Sequence, residues 1–429
     1  MSNILDYLRW RGDLEISSSV PFNEVDALIL ARISYLPLDE VDLASEESIE
    51  SVAAKLSEVP EEHFEKRPDD QELVKALAES ERFKNLKVTD YEKEVTAQGE
   101  ESQFAAVTVH LDEREMYLSF IGTDDTMVGW REDLNMSFME CVPGQEKALA
   151  YADRVLKKFP LKNFYLGGHS KGGNEALYCA MKFDEGTAER LIMAHSFDGP
   201  GFLPEVMESI TFAAPKDKLS QYVPQGSIVG RLMIHPTDPI VVRSTGKGGI
   251  GQHNLYTWEV ARTSFERGEL TDGSNAAFET VSNFLRQSTP EERELLVSEV
   301  FEILEEKEVT TTRELADSLK KHLPSYIKIY RAKSEEERKG MLRVIGLFGK
   351  SYAEAFLEQV FGPAKEEPEA PGAAAAQSVE SVTRENAAPG AAPTEAGEEH
   401  VDLFEETTAE DVRSLDSIDP KGNLEGETE

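Results

Sequence analysis

Residues 165–174 read YLGGHSKGGN: an apolar run closing on two glycines, then a serine framed by His169 and Lys171, then two more glycines. Gly168-His169-Ser170-Lys171-Gly172 fits G-x-S-x-G, and Gly173 follows at once. The pattern has a steric reason. Where a strand turns abruptly into a helix, the residue at the corner is forced into a strained backbone conformation, and bulk two positions away on either side collides with the turn. So short a motif also arises by chance, and its meaning rests on what surrounds it.

The surroundings alternate. FAAVTVH (104–110) and EMYLSFIG (115–122) are strand-like and separated by a short charged turn, which predicts a hairpin. GQEKALAYADRVLKKF (144–159) has helical spacing, NFYLGG (163–168) is a strand, and NEALYCAMKF (174–183) is again helical. LIMAHSF (191–197) and SIVGRLMIH (227–235) supply further strands. Such β-α-β-α-β alternation predicts an α/β fold with a largely parallel sheet and helices on its faces. Ser170 then falls where a buried strand ends and a helix begins.

A serine hydroxyl is a poor nucleophile at neutral pH and needs a histidine base oriented by a carboxylate. In α/β-hydrolases the chain order is Ser, acid, His. Downstream, MIHPTDPIVVRSTGKGGIGQHNLYTW (233–258) places Asp238 after a predicted strand end and His253 fifteen residues later in a glycine-rich loop. Asp198, in SFDGPGF (196–202), also follows a strand and is the alternative acid. Gly199-Pro200-Gly201 follows it, and on the residues alone both aspartates stand as candidates. The other histidines have plainer readings. His63, His322 and His400 lie in polar helices or the tail, His110 ends a strand, and His169 packs within the elbow. His195 and His235 read as core histidines.

Composition narrows the function classes. The 429 residues carry a net charge of −37 and a pI near 4.6, which disfavours nucleic acid and anionic membrane surfaces as partners. Two cysteines, Cys141 and Cys179, make no disulfide framework and point to a reducing, cytoplasmic home. The N-terminal stretch lacks the apolar core of a signal peptide, and the longest apolar run, ALILARISYLPL, is broken by Arg32 and Pro37, so no integral membrane segment is expected. Gly246-Lys247-Gly248-Gly249-Ile250-Gly251 formally matches G-x-G-x-x-G. QHNLYTWEV follows it with no helical N-cap, so a loop is expected rather than a dinucleotide site. No motif calls for a cofactor or a metal.

The ends of the chain differ from its middle. Residues 1–100 are read as an N-terminal helical segment packed on the core, 101–271 as the α/β core, and 272–362 as a C-terminal helical segment. In the last, Thr289-Pro290-Glu291-Glu292 and Thr311-x-x-Glu314 are capping boxes. Residues 363–429 are rich in Pro, Ala and Glu, with 18 acidic against 4 basic residues, and are expected to be a disordered acidic tail.

The ordered set SFIGTDDTMVGWREDLNMSF (119–138), GGHSKGGN, SFDGPGF and TDPIVV…QH…W resembles the class 3, fungal-type lipases. Residues 1–260, including YLRWRGDL (7–14) and FNEVDALIL (22–30), resemble more closely an Mbeg-like bacterial family regarded as a lipase relative of unestablished substrate. The resemblance implies an α/β-hydrolase core with Ser170 as nucleophile, Asp238 as acid and His253 as base. It implies an oxyanion hole from Thr123 and the N–H of Lys171, with Trp130 and Asp133 as the lipases' W-x-x-D. Two positions depart from the pattern. Ile121 replaces an arginine, so a supporting ion pair is expected to be missing. Lys171 replaces a leucine, which argues against a long-chain triglyceride and toward a polar or anionic ester, unless the side chain turns into solvent.

The function expected is hydrolysis of a small-molecule or lipid carboxylic ester through an acyl-enzyme. The rivals are a non-catalytic hydrolase fold used for binding or scaffolding, and an acyltransferase with the same triad.

Overall fold

A computed structural model describes residues 2–64, 68–96, 101–124, 126–209, 214–305 and 311. These fall in one compact unit, residues 1–363. The expected tail, and residues 312–362 of the expected C-terminal helical segment with their second capping box, His322 and His400, lie outside the described residues.

Alternation along the strands decides which side chains meet which layer. The strands are β1 (Glu46–Ser48), β2 (Lys87–Thr96), β3 (Ser102–His110), β4 (Glu115–Phe120), β5 (Asn163–His169), β6 (Leu191–Phe197), β7 (Leu219–Pro224) and β8 (Ile240–Val242). They lie side by side in chain order, antiparallel from β1 to β4 and parallel from β4 to β8. Two short strands, β9 (Val260–Ala261) and β10 (Ser264–Phe265), pair apart from them. The predicted hairpin is β3–β4.

The helices before the elbow are α1 (Ile4–Arg11), α2 (Glu24–Ile33), α3 (Ile49–Leu56), α4 (Pro68–Glu79), α5 (Met127–Asn135) and α6 (Pro143–Lys158). After it come α7 (Lys171–Lys182), α8 (Glu185–Arg190), α9 (Pro204–Ser209), the single turn α10 (Gly248–Gly251), α11 (Asp272–Gln287) and α12 (Pro290–Glu305). Phe104, Ala106, Met116, Leu118 and Phe120 point to one face, where they pack with Ala148, Val155, Leu177 and Ala180 of α6 and α7. Val107, Val109 and Tyr117 point to the other, against Leu28, Ile29 and Leu30 of α2.

Strict chain order with right-handed crossovers sends the connecting helices to one side of the sheet. The opposite face would be bare without the N-terminal helices. Val25–Ile33 of α2 are all buried, Tyr117 Oη donates to the Ala27 carbonyl at 2.9 Å, and Ser119 Oγ donates to that of Leu30 at 2.9 Å. Two ion pairs without solvent contact anchor this layer: Arg82 with Asp26, and Arg32 with Asp70, whose carboxylate also accepts from Tyr256 Oη. Residues 1–100 are therefore more than a helical segment, since they also supply β1 and β2.

Two further readings change. SIVGRLMIH is not a strand: it holds a 3₁₀ turn at Val229–Arg231, and the strand that precedes it, β7, is LSQYVP. The glycine-rich 246–251 stretch closes in the single turn α10. Among the described residues no helix is long and apolar enough to cross a membrane. The Thr289 capping box forms as expected, with Thr289 N–H donating to Glu292 at 2.8 Å and Glu292 N–H to Thr289 Oγ1 at 3.2 Å.

Candidate active site

Ser170 is the corner between β5 and α7, at φ 57° and ψ −130°. A non-glycine residue there is strained, and the fold holds it from both sides. Its N–H donates to the Phe197 carbonyl on β6 at 2.9 Å, and its own carbonyl accepts from Gly173 N–H at 2.9 Å. The flanking glycines are required by contact. A Cβ at Gly168 would run into the carbonyl group of Gly172, and one at Gly172 into the carbonyl oxygen of Phe120. Lys171 is the first residue of α7, so its N–H has no carbonyl partner within the helix.

The parallel register sets what lies beside the corner. Phe120 of β4 is level with Gly168, and His169 of β5 is level with Phe197. The chain leaving β4 at Gly122-Thr123 and the chain leaving β6 at Asp198 therefore flank Ser170 at the carboxyl edge of the sheet, where open α/β sheets place their ligands. A Cβ on Gly122 would stand 3.0 Å from Ser170 Cβ.

Asp198, fully buried and also at positive φ, holds His253. His253 Nδ1 lies 2.7 Å from Asp198 Oδ2. The other oxygen, Oδ1, accepts from Ser227 Oγ and, at 3.1 Å, from Gly230 N–H. A carboxylate only accepts, so the proton sits on Nδ1 of His253 and Nε2 is left as a base. The imidazole is steadied from the elbow itself. His169 Nε2 donates to the His253 carbonyl at 2.8 Å, the two rings lie 4.3 Å apart, and Tyr35 Oη bonds His169 Nδ1 at 3.0 Å.

Asp238 is not the partner of His253. It is exposed in the loop leading into β8 and makes no hydrogen bond to His253. The strand order is the reason: Asp238 precedes β8 instead of closing a strand at the sheet's carboxyl edge, whereas Asp198 closes β6 directly beside the elbow.

Thr123 follows Gly122 on the chain leaving β4 and Lys171 follows Ser170, and the side chains of both are engaged away from the corner. Thr123 Oγ1 donates to Asp133 Oδ2 at 2.6 Å, which commits its proton and leaves the main-chain N–H as the donor it can offer a ligand. Burial pushes the Asp133 carboxyl up to about 6, with Lys171 opposing. The Lys171 side chain reaches neither solvent nor substrate. It is fully buried, with Nζ donating to Glu132 Oε2 at 2.6 Å and to the main-chain and side-chain oxygens of Gln103. The expected bearing of its charge on substrate choice therefore falls away. Burial opposes its ammonium, but Glu132, Glu175 and Asp133 outweigh that and hold it above its usual range. Burial raises the Glu175 carboxyl well above the ordinary carboxylate range, with the Lys171 ammonium opposing. No sequence motif pointed to Glu132, Glu175 or Gln103.

A strained serine corner at the carboxyl edge of a parallel sheet, with a buried aspartate at the end of the neighbouring strand bonded to a half-buried histidine, defines the α/β-hydrolase fold class. The chain belongs to the Mbeg1-like family, whose model matches residues 77–302, more than half of the chain. Most of the N-terminal helical layer lies ahead of that match.

Among solved structures, the chain is similar to the Rhizomucor miehei lipase propeptide complex, at 19% identity and TM-score 0.29, covering 37% of this chain and 57% of that one. Lipase II from Rhizopus niveus matches at 16% identity and TM-score 0.30, covering 49% and 81%. MDLA from Penicillium cyclopium, as its N225Q mutant, matches at 12% identity and TM-score 0.35, covering 61% and 92%. No curated protein matches the chain.

Proposed function

We propose that the chain is a serine esterase that cleaves a carboxylic ester, of a small molecule or a lipid, through an acyl-enzyme on Ser170. The observation that carries this reading is the 2.7 Å bond between His253 and the buried Asp198, formed beside a serine at φ 57°. In the proposed reaction Ser170 Oγ attacks the ester carbonyl while its proton passes to His253 Nε2. The oxyanion is met by the N–H groups of Lys171 and Thr123, donors fixed before the charge develops. The alcohol leaves with the proton held by His253. A water molecule, deprotonated by the same imidazole, then releases the acid. Asp198 keeps the imidazole in one tautomer and stabilises its cation. No step requires a cofactor. Cys141 and Cys179 are both free thiols, which supports a reducing, cytoplasmic setting.

The test is labelling with a fluorophosphonate, with mass spectrometry of the modified peptide. Label on Ser170, lost in Ser170→Ala, is the expected result. A folded protein that takes no label, or takes it on another serine, refutes the reading.

A further inference from the structure

The most unusual group beside the proposed site is the buried ammonium of Lys171. Its three protons meet three acceptors: Glu132 Oε2 and the two oxygens of Gln103. Glu132 is equally committed. Its Oε2 also accepts from Gln103 N–H at 3.1 Å, and its Oε1 accepts from Gly144 N–H at 2.6 Å. One carboxylate on α5 thereby ties together the starts of β3, α6 and α7. The next residue along α5, Asp133, takes the Thr123 hydroxyl. Two consecutive side chains of one helix thus hold the two residues whose N–H groups are the proposed oxyanion donors.

Stability alone does not account for charge in this place. The pair has no solvent contact on either side. Desolvating two charges costs several kcal/mol, and an apolar pair of similar volume commonly serves as well or better. The ion pair differs from such a pair in being directional. It sets the position and rotation of the first turn of α7, and so the aim of the Lys171 N–H.

We propose that Glu132 and Lys171 are a positioning pair for the oxyanion hole, acting through the Lys171 backbone; this rests on the esterase reading. Hydrogen bonds to a developing oxyanion depend steeply on donor placement, so loss of the pair lowers turnover and leaves ground-state binding nearly untouched.

The experiment compares wild type, the double variant Glu132→Leu/Lys171→Met, and Gln103→Met, which removes one acceptor of the ammonium together with a donor to the Gly122 carbonyl and leaves the ion pair in place. Each is measured by thermal melt, by kcat and KM on a p-nitrophenyl ester, and by the rate of fluorophosphonate labelling at Ser170. The double variant is expected to fold but melt below wild type, because the Gln103 and Gly144 N–H groups lose their carboxylate acceptor, with kcat and labelling rate at a temperature where it is folded lowered about 10- to 100-fold and KM within about threefold. Gln103→Met is expected to show a smaller loss of kcat in the same direction. Restoring the charge arrangement as Glu132→Asp/Lys171→Arg should recover part of kcat if the apolar pair lost it through geometry. Folded double and Gln103→Met variants with wild-type kcat and labelling overturn the proposal. So does a double variant that fails to fold while Gln103→Met keeps full kcat, because the pair is then structural only. Wild type that takes no label overturns the esterase reading itself, a result separable from either of these.

Discussion

Replacing Asp198 with asparagine should nearly abolish turnover while preserving the fold, and the geometry says why. The backbone at 198 has φ 52°, a region that asparagine tolerates about as well as aspartate. The side chain has one oxygen toward Ser227 Oγ and Gly230 N–H and the other toward His253 Nδ1. An amide has a single acceptor oxygen. Turned toward His253, that oxygen would leave an NH₂ facing the Gly230 N–H, donor against donor, at a site with no access to water. Turned toward Gly230 it satisfies both donors there, and the NH₂ then faces His253. The imidazole must accept at Nδ1 and carry its proton on Nε2, where it cannot act as base toward Ser170. In a Ser-His-Asp triad that tautomer error costs about 10⁴ in kcat, or about 5.5 kcal/mol of transition-state stabilisation. The measurement is kcat on a p-nitrophenyl ester together with a thermal melt, with Asp238→Asn as control. Asp238 is exposed and unbonded to His253, so its variant should stay within about threefold of wild type. A folded Asp198→Asn protein within tenfold of wild type, or an Asp238→Asn protein that is folded and inactive, refutes the assignment.

Other outcomes follow from packing and burial. Gly168→Ala should destabilise the protein by about 3 kcal/mol or more in urea titration, because the new methyl meets the Gly172 carbonyl group and that backbone cannot move aside. Arg32→Ala should cost about 3–5 kcal/mol, since Asp70 would stay buried without its cation. His195, stacked on Tyr165 and Phe197, is held neutral by burial, its pKa lowered from 6.5 to about 3. The unfolded chain binds that proton first as pH falls, so stability should decline from pH 6.5 down toward pH 3; His195→Phe should reduce that slope in melts taken across the window. Asp133 has the opposite sign. Its folded pKa of about 6 lies above the ordinary 3.8, so the folded state binds the proton first, and wild type should gain on Asp133→Asn by roughly 2–3 kcal/mol between pH 7 and pH 4 in urea titrations.

The elbow was legible because its constraint is local. A strand that breaks into a helix within one residue needs small neighbours at fixed offsets, and a ten-residue window displays them. The β3–β4 hairpin, the α6 and α7 periodicities and the Thr289 capping box were legible for the same reason, since each is decided by residues within a few positions of one another. Which carboxylate serves His253 was not legible. That depends on which strand lies next to β5 in the sheet, and β7, with its short LSQYVP, carries a weaker signal than the apolar SIVGRLMIH that turned out to be a 3₁₀ turn and loops. Nor could the sequence tell where Lys171 points. A lysine beside a nucleophile is ordinarily a solvent-facing charge; here Glu132 lies thirty-nine positions earlier and Gln103 sixty-eight, and only the packing of α5 and β3 against α7 brings their oxygens to the ammonium. The sequence by itself determined the serine corner and the α/β class, because those follow from local sterics and periodicity. The carboxylate partner of His253, the buried charges behind the corner and the helical cover on the second face of the sheet were decided by tertiary structure, because desolvation and hydrogen bonding between residues far apart in the chain exist only once the layers have closed.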